Sequence, residues 1–123
     1  MGRQGHDAPQ AAEGNPFAAA FPALDQAMAL AKTYLASLPT RPVARPVTAQ
    51  ELATALDEPL PEEGDDPARV VADWFARAEP GIVASPGPRF FGFVNGGATP
   101  AALAGDWLAA ALDQNASLWL GSP

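Results

Sequence analysis

A chain of 123 residues can bury the modest core of one small domain, and 14 acidic against 7 basic side chains leave it at −7, a balance that disfavours nucleic acid and anionic membranes as partners and serves solubility. The sequence holds no cysteine, which excludes disulfides, thiolate zinc sites and cysteine nucleophiles and fits a reducing, cytoplasmic setting. Its opening residues lack the pattern of a secretory leader, Asp106 interrupts the longest apolar run, and 14 prolines with many alanines predict helices joined by stiff connectors.

Residues 1–15 are polar, glycine-rich and without periodicity, and read as a disordered leader. The sole histidine, His6, lies there without neighbours that would make it a ligand. From Phe17 the apolar positions run Phe21, Leu24, Met28, Ala31, Leu35 and Leu38, a spacing of four and three that predicts a helix with a coiled-coil-like seam. Such a seam packs either within its own domain or against a partner subunit. Pro39 to Pro46 form an extended connector.

Thr48 with Glu51 makes a capping box for a short helix whose inner face is Leu52 and Leu56. The acidic stretch from Asp57 to Asp66 lacks the ligand spacing of a calcium loop and reads as solvated loop; no metal site is expected. Asp66 and Pro67 then open another helix with an apolar stripe of Val70, Val71, Trp74, Phe75 and Ala78, Trp74 being expected in the core, and Glu79-Pro80-Gly81 closes it. Phe90, Phe91 and Phe93 predict a short extended aromatic piece with rings on both faces. Gly96 and Gly97 give a turn that admits close approach of a ligand or another chain. Thr99 and Pro100 start a last, strongly apolar helix through Leu103, Trp107, Leu108 and Leu112, followed by the polar Asp113-Gln114-Asn115. No internal repeat is visible.

Few catalytic chemistries are open to these residues alone. A serine triad needs a base beside the hydroxyl, and the one histidine is in the leader. Val94-Asn95-Gly96-Gly97 has neither the spacing of a dinucleotide fingerprint nor the lysine of a phosphate-binding loop. Lys32, the only lysine, sits in the first predicted helix.

The block Gly87-Pro-Arg-Phe-Phe-Gly-Phe-Val-Asn-Gly-Gly-Ala-Thr-Pro-Ala-Ala-Leu-Ala-Gly-Asp-Trp-Leu-Ala-Ala-Ala-Leu-Asp-Gln-Asn115 resembles the N-terminal signature of the pyridoxal-phosphate-dependent group II decarboxylases, the aromatic-amino-acid, histidine and glutamate decarboxylases, and is nearest their bacterial branch. Arg41-Pro-Val43, Pro59-Leu-Pro-Glu-Glu63 and Glu79-Pro-Gly-Ile-Val83 fall in the same order, so that the resemblance runs from Phe17 to Pro123. It implies a mainly α segment with one extended aromatic piece, the front of a larger α/β enzyme of the aspartate aminotransferase fold (type I). On that reading residues 16–86 are a helical dimerisation segment and 87–123 the truncated start of the cofactor domain.

The resemblance further implies that Phe93, Val94, Asn95 and Gly96 face the bound amino acid, and that Asn115 and Ser117 belong to a loop reaching the neighbouring subunit's site. The cofactor would be pyridoxal 5′-phosphate, with its attachment lysine, its ring-nitrogen carboxylate and its phosphate site downstream, so this segment supplies no catalytic group. Decarboxylation of an L-amino acid by a cytoplasmic homodimer is the implied function. Gly87, Val94 and Gly96 stand where animal members carry other side chains that influence substrate fit, so the resemblance names no particular amino acid. Two alternatives share these residues: a fragment of a pyridoxal-phosphate aminotransferase-type enzyme, and a stand-alone, non-catalytic helical module that dimerises through its first helix. The apolar Leu118-Trp119-Leu120 ending favours a chain that continues.

Overall fold

The computed structural model describes residues 15, 17–18, 20–95 and 97–114, so that the predicted leader up to residue 14, Gly96, Asn115 and Ser117 lie outside the described residues. It contains four helices in chain order, α1 Ala20–Ser37, α2 Ala49–Leu56, α3 Pro67–Ala78 and α4 Pro100–Leu112, with a 3₁₀ turn over Glu79–Gly81. The described part is thus mainly α. None of its helices is long and apolar enough to cross a membrane.

Each of the last three helices begins where its sequence offers a cap. At α2 the Thr48 hydroxyl accepts the Glu51 N–H at 3.2 Å while the Glu51 carboxylate accepts the Thr48 N–H at 2.7 Å, the reciprocal capping box expected from their spacing. At α3 the Asp66 carboxylate accepts the Arg69 N–H at 2.8 Å, Pro67 occupies the first turn, and Asp65 pairs with Arg69 one turn on. At α4 the Thr99 hydroxyl accepts the Ala102 N–H at 3.3 Å ahead of Pro100. The helix α1 closes as the Thr40 and Arg41 N–H groups bond the Ser37 carbonyl, with Pro39 unable to prolong it.

The helix α1 packs along α3, and α3 also carries α2. Their C-terminal ends meet, because Arg41, just beyond α1, pairs with Glu79, just beyond α3. The helix α1 has 18 residues and α3 has 12. At 1.5 Å per residue α1 therefore outruns α3 by about 9 Å at its N-terminal end. That overhang explains why Leu24 is 50% exposed with Phe21 beside it, while Phe17, just before α1, is 71% exposed; Met28 continues the same spacing beyond the overhang and is also exposed. Among the described residues only Ala84 is buried, at 2%, where the chain after the 3₁₀ turn crosses under the connector and its N–H donates to the Val43 carbonyl at 2.8 Å.

Two expectations need correction. Trp74 is not core: it lines the open groove between α1 and α3, facing the small Ala27 and Ala31, and stays 56% exposed. The aromatic segment is not an extended strand either, and no strand exists among the described residues. The Phe90 N–H bonds back to the Gly87 carbonyl at 3.2 Å, which curls the chain into a turn, and Phe93 takes a left-handed φ of 53°, which breaks the alternation of faces. The Phe90 ring folds over Gly92, where an added Cβ would lie 3.0 Å from its Cζ, while Phe91 stands in solvent.

The capping box makes α2 sensitive to pH. Hydrogen bonds from the backbone and then the hydroxyl of Thr48 hold the Glu51 carboxyl below its ordinary value of 4.5. A depressed carboxyl stabilises the fold above that value and ceases to as the pH falls through the lowered one. Acidification below about 4.5 should therefore speed amide exchange in α2 before α3, and Glu51→Gln should abolish that selectivity. Thr48→Ala should cost about 1 kcal/mol, the usual loss of a capping hydroxyl, read as a lower thermal midpoint by circular dichroism.

Candidate functional site

The functional surface is organised around the junction where α1, the connector and the 3₁₀ turn meet. Arg41 lies with its guanidinium over the Tyr34 ring, 4.6 Å from the centroid, donates from Nη1 to the Ser37 hydroxyl at 3.2 Å and pairs through Nη2 with Glu79. The other Glu79 oxygen accepts from Arg45 at 2.9 Å. The Arg41 side chain is only 10% exposed, and its Nε has no hydrogen-bond partner. From the far side, the Arg89 guanidinium donates to the Arg41 carbonyl.

Two open hollows flank the segment that this junction holds. The first, about 420 Å³, is an apolar groove between α1 and α3 whose floor uses the small Ala27 and Ala31, with Tyr34, Val71 and Trp74 as walls. Alanines facing a tryptophan leave space that larger side chains would fill. The second hollow, about 390 Å³, is more polar and is formed by Ser85, Pro86, Val94, Asn95, Gly97 and Ala98. Ser85 and Pro86 border both.

Val94 and Asn95, which the resemblance places toward a substrate, border this open hollow with Val94 fully exposed, and Gly97 borders it with the positive φ of 70° that a glycine turn provides. Phe93 does not join them: its left-handed backbone swings the ring outward and leaves it 96% exposed. Ser85 and Pro86 were not anticipated, though the Ser-Pro-Gly-Pro run signals a turn, and turns place backbone at cavity rims.

Chemically, the second hollow offers the Ser85 hydroxyl, the Asn95 amide and backbone groups, with no ionisable side chain on its wall among the described residues. These groups can hydrogen-bond a polar ligand, but cannot move a proton at neutral pH. Lys32 is exposed on α1 and borders neither hollow, so these residues do not fit the attachment of a pyridoxal cofactor. Among the described residues no group of His, Cys, Asp and Glu is arranged to hold a metal ion.

No family model matches the chain, and neither a curated protein nor a solved structure matches it.

The backbone of Phe93 carries a steric cost with no packing in return. A non-glycine residue in the left-handed region costs about 1–2 kcal/mol, offset in part by the entropy a glycine loses. Phe93→Gly should therefore raise the stability of the isolated chain by up to about 1 kcal/mol, read as a higher thermal midpoint.

Proposed function

We propose that this chain is the N-terminal segment of a pyridoxal-phosphate-dependent group II amino-acid decarboxylase, where it forms part of the subunit clasp and one wall of the substrate pocket. The observation that carries the reading is the distribution of apolar surface. Phe21, Leu24 and Met28 line one exposed face of α1 with Phe17 exposed just before it, and Leu108 and Leu112 are exposed on α4, while only Ala84 is buried among the described residues. Each square ångström of apolar surface left in water forgoes about 25 cal/mol, so such faces are stable when a second body covers them. The order of motifs from Arg41-Pro-Val43 to the Gly87–Asn115 block supports a group II decarboxylase as that larger body.

In this role the chain's own residues bind and orient. Val94 offers apolar contact and Asn95 an amide that can both donate to and accept from a polar amino-acid side chain. The second subunit of a cytoplasmic homodimer covers the α1 overhang, and the substrate is an L-amino acid. Cofactor attachment and every proton transfer fall to residues beyond this segment. The aminotransferase alternative differs only in groups that these residues do not include.

Three measurements test the reading. The native gene product should have an intact mass several times 12.7 kDa, whereas a mass near that value would instead favour a stand-alone interaction module. In sedimentation the isolated chain should self-associate, and Leu24→Glu should shift it towards monomer by placing a charge on the clasp face; an unchanged distribution would remove α1 from the interface. Titration with pyridoxal phosphate followed by borohydride should leave Lys32 unmodified, and a reducible aldimine there would contradict the division of labour.

A further inference from the structure

We infer that Arg41 is a positioning residue: it straps the segment from Ala84 to Phe90, and with it the shared rim of the two hollows, onto the α1/α3 pair. The inference rests on the proposed function only in regarding that rim as a pocket wall.

Arg41 bridges three parts of the chain. Its guanidinium engages α1 through Tyr34 and Ser37 and the end of α3 through Glu79, while its carbonyl accepts from Arg89. Two residues along the same connector, the Val43 carbonyl accepts the Ala84 N–H at 2.8 Å. The connector therefore holds the segment at both ends, Ala84 at one and Arg89 at the other. Between those anchors the Gly87 N–H bonds the Ala84 carbonyl at 2.9 Å and the Phe90 N–H bonds the Gly87 carbonyl at 3.2 Å, closing two consecutive turns. Gly87 has no room to spare, since a Cβ there would meet the Ala84 carbonyl oxygen at 3.0 Å and the Leu38 carbonyl oxygen at 3.5 Å. Ser85 and Pro86 lie inside this strap, so their placement is set by it.

The energetics of Arg41 fit placement better than net stability. A nine-tenths buried guanidinium with one unpartnered nitrogen carries a desolvation cost that an apolar side chain of similar shape avoids. What the apolar side chain lacks is the planar fork, which meets Glu79 and Ser37 together while its face rests on Tyr34. That combination fixes the direction of the connector, and hence where the Arg41 and Val43 carbonyls point. Lysine, a single point of charge, cannot reproduce it.

Amide hydrogen exchange on the full 123-residue chain reads the strap directly. Arg41→Met keeps the stem and removes the fork; exchange at Ala84, Gly87 and Phe90 should quicken roughly tenfold or more while interior amides of α1 and α3 change little. Arg41→Lys should not restore protection. Arg89→Ala alters an exposed side chain and should release Gly87 and Phe90 while Ala84, held by Val43, stays protected. The inference is overturned if Arg89→Ala leaves Gly87 and Phe90 as slow as in the unaltered chain, or if Arg41→Met frees the three amides only in step with α1 and α3. Should Arg41→Met fail to fold, Arg89→Ala decides alone. These amides report the strap whatever the parent protein catalyses, whereas intact mass and association report the proposed function without altering Arg41.

Discussion

The ion pair between Arg41 and Glu79 is the constraint from which the rest of the arrangement follows. It joins residues 38 positions apart and ties the C-terminal ends of α1 and α3 to one point. A single carboxylate there serves two guanidiniums, Arg41 within the junction and Arg45 at its surface. The inner pair works at a lower effective dielectric and is screened less by salt, so direction is specified chiefly by Arg41. With the two ends level, the unequal lengths of α1 and α3 leave a projecting apolar tip at the other end. The same junction sends the chain under the connector at Ala84 and up to the rim of the hollows. Among the described residues, where only Ala84 is buried, this polar junction thus fixes how the packed helices meet.

Apolar surface and polar organisation are consequently separated. The junction is held by charges and hydrogen bonds, while many large apolar side chains lie on faces that the described residues do not cover. In a self-sufficient domain of this size those side chains would turn inward, because burial is the main favourable term in folding. Here Trp74, on the groove wall, and Val70, elsewhere on α3, each keep about half their surface in water. A partner that covers these faces stabilises the assembly by mass action, and the stability of the isolated chain is then a poor guide to its stability in the complex.

Much of the helical layout is legible in the sequence because its signals are local. Thr48 with Glu51, Asp66 with Pro67 and Thr99 with Pro100 each bond a backbone group within three residues, and all three helices start there. The candidate site is less legible. Val94 and Asn95 share a hollow as their position before the glycine turn suggests, but its other wall comes from Ser85 and Pro86, which a turn folds back on them. Arg41 and Glu79 carry no local mark of their pairing, and a long-range ion pair leaves no periodicity to detect. The aromatic run misleads because three phenylalanines favour a strand by propensity, while Gly92 allows the chain to bend and no strand among the described residues is present to select extension.

The isolation of α4 has a kinetic consequence. It packs on no other helix to the extent that α1 and α3 do, and an added methyl at Gly105 would meet nothing within 4 Å. A helix of 13 residues in that position has little beyond its own propensity to sustain it, and helices of about that length are marginal in water because nucleation is unfavourable. Its alanines favour the helical state and its cap at Thr99 fixes where the first turn begins. Helix–coil exchange in segments of this length runs on the submicrosecond scale, so ordering of α4 would not limit the rate at which a covering surface met it. The conformational entropy surrendered on such docking would be regained on release, which would shorten the life of that contact.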